Sequence, residues 1–123
     1  MPLEEYKENL KRLVQHPAIK EHNPKIIIIN PPPINEYQLP VPERIASITK
    51  SYADAARETA TSLGVPIADI WTRFMKMAGW SEGQALLGSR DIPNNEKLQS
   101  FFIDGLSILY ICIIGSYRTS YLV

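Results

Sequence analysis

Apolar residues return at steps of three and four through Leu3, Tyr6, Leu10 and Leu13, a spacing that gathers them on one face of a helix. Pro17 closes that helix, because it lacks an amide hydrogen and clashes with the preceding turn. The connector HPAIKEHNPK is polar, and its two histidines, His16 and His22, read as solvated loop residues rather than catalytic ones. The pattern then changes. KIIIIN places four β-branched residues in a row between a charge and a proline run. A short stretch that is apolar on both faces suits a central strand of a parallel sheet covered by helices. Asn30 and Pro31-Pro32-Pro33 would then sit at its carboxyl end, where open α/β sheets place ligand sites. The same prolines cannot extend a ladder, so they serve equally well to end the strand.

Residues 34–41 read as loop. A long helix is predicted from Pro42 to Leu63, with Ile45, Ile48, Tyr52, Ala55, Ala56 and Leu63 as its buried stripe. Pro42 suits the first turn, and Gly64 suits the left-handed residue that ends a helix. VPIADI (65–70) follows as a second short strand. Helix, strand, helix, strand in that order argues for right-handed crossovers and a parallel sheet. A third helix is predicted from Asp69 to Ala78, with Trp71, Phe74, Met75 and Ala78 inward and Gly79 as its stop. Asn95 can cap a short helix whose Leu98, Phe101 and Phe102 face inward. Asp104-Gly105 then begins a turn.

Composition changes this picture little. At 123 residues the chain suffices for one compact domain. Thirteen basic residues balance thirteen acidic ones, so no net field draws nucleic acid, and none is expected as a partner. One cysteine, Cys112, excludes an internal disulfide framework. No metal-ligand spacing and no phosphate-cradling glycine loop is present, so neither metal nor cofactor is expected. The polar, helical MPLEEYKENLKRL is unlike a secretory signal and sets a cytoplasmic expectation. Near the other end, the apolar run LSILYICII is interrupted by Gly115, Ser116 and Arg118. A spanning helix needs about 20 apolar residues, so membrane insertion is not expected.

Candidate nucleophiles are few. GWSEG (79–83) matches the Gly-x-Ser-x-Gly pattern, but a nucleophile elbow needs a strand before the serine, and a helical pattern stands there instead. No histidine follows Ser81. A capping box between Ser81 and Gln84, opening a helix through EGQALL, accounts better for these residues. Asp69 and Asp91 each have a helix-start or turn explanation, and neither has a general base in view.

Taken together, KIIIINPPPINE, the helix running into SLGVPIADIWTRF, and FFIDGL resemble the C-terminal half of SGNH (GDSL-type) hydrolases, nearest the isoamyl acetate-hydrolysing esterases. The resemblance covers about Pro2 to Leu106, with the blocks in that family's order and spacing. It implies an α/β fold, a partial flavodoxin-like three-layer α/β/α arrangement with a parallel sheet, and hydrolysis of small carboxylic esters without a cofactor. The family's serine, its oxyanion glycine and asparagine, and a late Asp-x-x-His supply the chemistry. Of these only Asp104, the orienting acid of Asp-x-x-His, finds a match here, and Ser107 occupies the base position. The serine, glycine and asparagine blocks would lie ahead of Met1.

The expected organisation is therefore a partial SGNH-hydrolase-like domain over 1–106 and a divergent apolar tail over 107–123. A truncated or misread product without turnover is expected, since ester hydrolysis needs a nucleophile, a base and oxyanion donors together. A small ester is the expected substrate if the chain is active. A sheet left uncovered would favour self-association, and pairing through that sheet or the tail is the alternative, non-catalytic reading.

Overall fold

The computed structural model describes residues 1–39 and 44–102. Its elements are α1 (Leu3–Gln15), α2 (Pro17–Glu21), β1 (Ile28–Ile29), a 3-10 turn (Glu36–Gln38), α3 (Ala46–Leu63), β2 (Ile67–Ala68), α4 (Ile70–Met77) and α5 (Glu96–Ser100). β1 and β2 pair in parallel, Ile28 opposite Ile67 and Ile29 opposite Ala68, with α3 as the connection between them. This is an α/β arrangement.

α1 forms as its pattern predicts, with Glu4 and Glu5 in the first turn and Arg12 in the last, each complementing the helix dipole. The face it buries is shifted from the expected one. Tyr6, Leu10 and Val14 pack against Ile28, Ala56 and Ala60, while Leu13 is 60% exposed. Steps of four, rather than a mix of three and four, keep that ridge on α3. Tyr6 meets Tyr52 edge-on at 5.1 Å, and Lys7 pairs with Glu58 at 3.1 Å. Pro17 ends α1 as expected but also opens α2, a helix in what reads as connector. The His16 ring nitrogen Nδ1 accepts the Ala18 N–H at 3.1 Å and caps it, giving that histidine a structural task.

α3 bears out part of the predicted stripe and corrects the rest. Ala55 and Ala56 are buried as expected, together with Ala46, Ala53, Thr59 and Ala60, whereas Ile45 and Ile48 are 44% and 51% exposed. Small side chains let α1 and the sheet approach the helix axis closely, and larger residues at these positions would hold them apart. Pro42, its expected start, lies outside the described residues. Gly64 ends α3 at φ +67°, and the Val65 N–H returns to the Ala60 carbonyl at 2.9 Å, closing the turn as a left-handed cap.

The second core gathers around α4 and α5. Trp71, Met75, Ala78, Leu98 and Phe102 are buried as the α4 and α5 patterns predict, with Phe74 and Phe101 partly buried against them, and Trp80 and Ala53 of α3 join the same core. Asp69 caps α4 by accepting the Thr72 N–H, and Asn95 caps α5 through the Leu98 N–H. No helix forms through EGQALL. Half of the expected capping box is present, with Gln84 Oε1 accepting the Ser81 N–H at 3.0 Å, but Gly83 and Gly88 at φ +91° and +93° turn the chain instead.

Candidate functional site

The carboxyl ends of β1 and β2 are held by one polar network. Asn30 is 1% exposed. Its Oδ1 accepts the Trp71 N–H at 3.2 Å, and its Nδ2 donates to Asp69 Oδ1 at 2.7 Å. Asp69 Oδ1 also accepts the Thr72 N–H at 3.1 Å, and Arg57 Nε lies 3.1 Å from Oδ2. Arg57 Nη2 donates to Thr72 Oγ1 at 3.0 Å. Partial burial works against the Asp69 carboxylate, but hydrogen bonds from Asn30 and Thr72 and the Arg57 charge outweigh it and hold its carboxyl below the usual value. An acid so held stays ionised near neutrality. Asn30 and Asp69 thus join β1 to α4.

A second network joins segments far apart in sequence. The loop after the three prolines lies on the segment leading into α5. Glu36 N–H donates to the Gly88 carbonyl at 2.8 Å. Arg90 answers from the other side, giving Nε and Nη2 to the Glu36 carbonyl at 3.1 and 2.9 Å and Nη2 to the Leu39 carbonyl at 3.0 Å. Tyr37 Oη donates to the Ile92 carbonyl at 2.6 Å. Gln38 Nε2 reaches the carbonyls of Gln99 and Phe102 at 3.2 and 2.7 Å. Asn35 Nδ2 steadies the Gln38 side chain by donating to its Oε1 at 2.9 Å. Only a glycine fits at 88, where a Cβ would meet the Ile34 carbonyl oxygen at 2.2 Å. Sequence reasoning reads 34–41 as plain loop and misses this latch. Its one sequence signal is the cluster of Asn35, Glu36 and Gln38 directly after the prolines.

The latch ends at Phe102, two residues before Asp104. Asp104 itself, with Ser107 and Cys112, lies outside the described residues. The remaining candidates are placed plainly. Ser81 is exposed and follows α4, not a strand, so it has no elbow. Asp91 is exposed in a turn where its N–H donates to Ser89 Oγ at 3.2 Å. His22 is exposed at the end of α2. Beside β2 an open hollow of about 270 Å³ is lined by Ala68, Asp69, Ile70, Arg73, Phe74 and Met77. Its only carboxylate is already taken up by Asn30, Thr72 and Arg57. Among the described residues no group of His, Cys, Asp and Glu is arranged to hold a metal, and no helix is long and apolar enough to cross a membrane.

Comparison with known proteins supplies what these residues alone do not. The chain is 30% identical over 90 residues to GDSL esterase/lipase At5g45920 of Arabidopsis thaliana, covering 65% of this chain and 37% of that protein. The chain is a relative of the GDSL esterase/lipases. It is 29% identical over 97 residues to GDSL esterase/lipase At5g62930 of the same plant, 67% of this chain and 39% of that protein. To the isoamyl acetate-hydrolyzing esterase 1 homolog of Mus musculus it is 29% identical over 85 residues, 62% of this chain and 34% of that protein. The matched stretch is thus little more than a third of the length of these GDSL relatives. No family model and no solved structure matches the chain.

Proposed function

We propose that this chain carries part of a GDSL-type carboxylic ester hydrolase and forms the side of the site that holds the orienting acid, Asp104. The arrangement it belongs to is a three-layer, flavodoxin-like α/β/α domain acting without a cofactor on small esters of the isoamyl acetate type. Residues 1–106 are the domain part, 107–123 a divergent tail, and the setting is cytoplasmic. One observation carries this reading: several esterases match the chain over some two thirds of its length. The geometry around the proline loop supports it. Gln38 fixes the carbonyl of Phe102 at 2.7 Å, two residues before Asp104, so the loop that follows β1 is tied to the segment that carries the orienting acid.

Asp104 alone does not hydrolyse an ester. It orients a histidine, and the family's base position holds Ser107, whose hydroxyl takes no proton near neutral pH. No Gly-Asp-Ser block occurs in the 123 residues. The isolated chain is therefore expected to release p-nitrophenol from p-nitrophenyl acetate no faster than buffer does. Turnover well above that background, abolished by Asp104→Ala, would overturn the inactivity.

A second reading, a non-catalytic interaction role with self-association as one form, is favoured by a separate observation. Ile29 of β1 and Ile27 just before it are 46% and 63% exposed, where strands of a covered sheet are buried.

A further inference from the structure

α4 carries apolar residues on two neighbouring faces, and the core takes up only one of them fully. Trp71 and Met75, with Ala78 just beyond the helix, are buried in the α4–α5 core. Ile70, Phe74 and Met77 follow one another at spacings of four and three, which sets them on the adjoining face. That face borders the hollow of about 270 Å³, which Ala68 and Asp69 also line at the carboxyl end of β2. Phe74 belongs to both faces, and the Phe101 ring stands against it with centroids 5.4 Å apart. Met77 is 47% exposed, a flexible and polarizable side chain that adapts to irregular apolar surfaces.

The charged groups of the hollow differ in what they can still do. Asp69 lines it, but its Oδ1 accepts from Asn30 and Thr72 and its Oδ2 is paired with Arg57. Its capacity for a further cation is spent. Arg73 lines the hollow as well and is exposed. Among the described residues, its guanidinium is in no ion pair and no hydrogen bond. Lys76, three residues on, places a second exposed cation on the flank of α4 beside Arg73. A guanidinium at the rim of an apolar wall grips a carboxylate in a planar fork, while its methylene stem extends that wall.

Shape narrows the occupant further. Concave, mostly apolar walls with a few charged groups suit a small molecule, and ligand sites run from about 300 to 1,000 Å³. The hollow lies just under that range, so its ligand is short. The carboxyl end of a strand is also where open α/β sheets place their ligands. We infer that the hollow at the β2–α4 junction binds a short- to medium-chain carboxylate, its head on Arg73 and its chain along Ile70, Phe74 and Met77. Binding needs neither Asp104 nor a nucleophile, so the inference goes beyond the ester-hydrolase reading and does not depend on it.

The test titrates octanoate, below the concentration at which it forms micelles, into the full 123-residue chain while methyl NMR follows Ile70 and Met77. Saturable shifts at both methyls are expected. Arg73→Gln should weaken octanoate by about fivefold and change octanol by less than about twofold. Arg73→Lys keeps the charge without the fork and should fall between Arg73→Gln and the parent. Met77→Ser should weaken octanoate and octanol alike, because it removes apolar contact and leaves the charge. Ile48→Ser, on an exposed position of α3, should alter neither. An absence of saturable shifts overturns the inference, and a segment of this chain filling the hollow would give that result. Octanoate binding that Arg73→Gln leaves intact overturns it too. So does octylammonium binding as tightly as octanoate, since Arg73 would then set no preference for an anion.

Discussion

Asn30 and Asp69 are the two residues whose chemistry looks most like a site and whose contacts are most fully structural. Each buried polar atom of Asn30 has a partner in the β2–α4 junction, so its removal strands the Trp71 N–H and takes a donor from Asp69. Asn30→Ala is expected to cost about 2–3 kcal/mol, read as a lower urea midpoint with an unchanged slope. Asp69 adds a pH dependence with a definite sign. Its carboxyl is held below the unfolded value, so the folded state binds fewer protons and gains stability at higher pH. That gain is complete above the ordinary carboxyl pKa of about 3.9 and is lost as pH falls through the lower folded value. Asp69→Asn should flatten this part of the acid limb in urea titrations from pH 6 to pH 2.5, leaving other carboxylates to supply what remains. An unchanged limb would mean that Arg57 and Asn30 do not stabilise the charge.

At the scale of elements, what the sequence disclosed and what it concealed divide along one physical line. Caps and stops were legible because they depend on single residues: Gly64, Gly79, Asp69 and Asn95 stand where their backbone or side-chain chemistry requires. The α3 stripe was legible only at Ala55 and Ala56; its isoleucines misled, because the helix is packed through alanines whose virtue is size. The consequence is measurable. Ala56→Leu, at a fully buried position, is expected to cost about 1–3 kcal/mol by overpacking. Ile48→Ser, half exposed, should stay within about 0.5 kcal/mol of the parent. A larger loss at Ile48 than at Ala56 would restore the isoleucine stripe. The proline-loop latch was concealed for another reason: its bonds run from side chains to carbonyls more than fifty residues away, and no local pattern encodes that. Glycine separates its two turns likewise. Gly64→Ala meets no atom within 4 Å and bears only the left-handed φ, about 1 kcal/mol, whereas Gly88→Ala meets backbone at 2.2 Å and should prevent the native loop from forming.

For the whole molecule, the two cores are unequal, and that sets how it opens. The α4–α5 core buries Trp71, Met75 and Leu98 to 2% exposure or less. The α1 side has no buried residue on its helix, only Tyr6, Leu10 and Val14 half-covered against Ile28, Ala56 and Ala60. Apolar burial scales with area, so α1 is held by the smaller share of the hydrophobic stabilisation. The exposed ion pairs that supplement it, such as Lys7 with Glu58, add little and are weakened by salt. Native-state hydrogen exchange should therefore show α1 amides opening well below the global unfolding free energy, and α4 amides opening only with it. Raising the salt concentration should widen this gap slightly. Uniform protection of both helices would mean that α1 is held as firmly as the α4–α5 core.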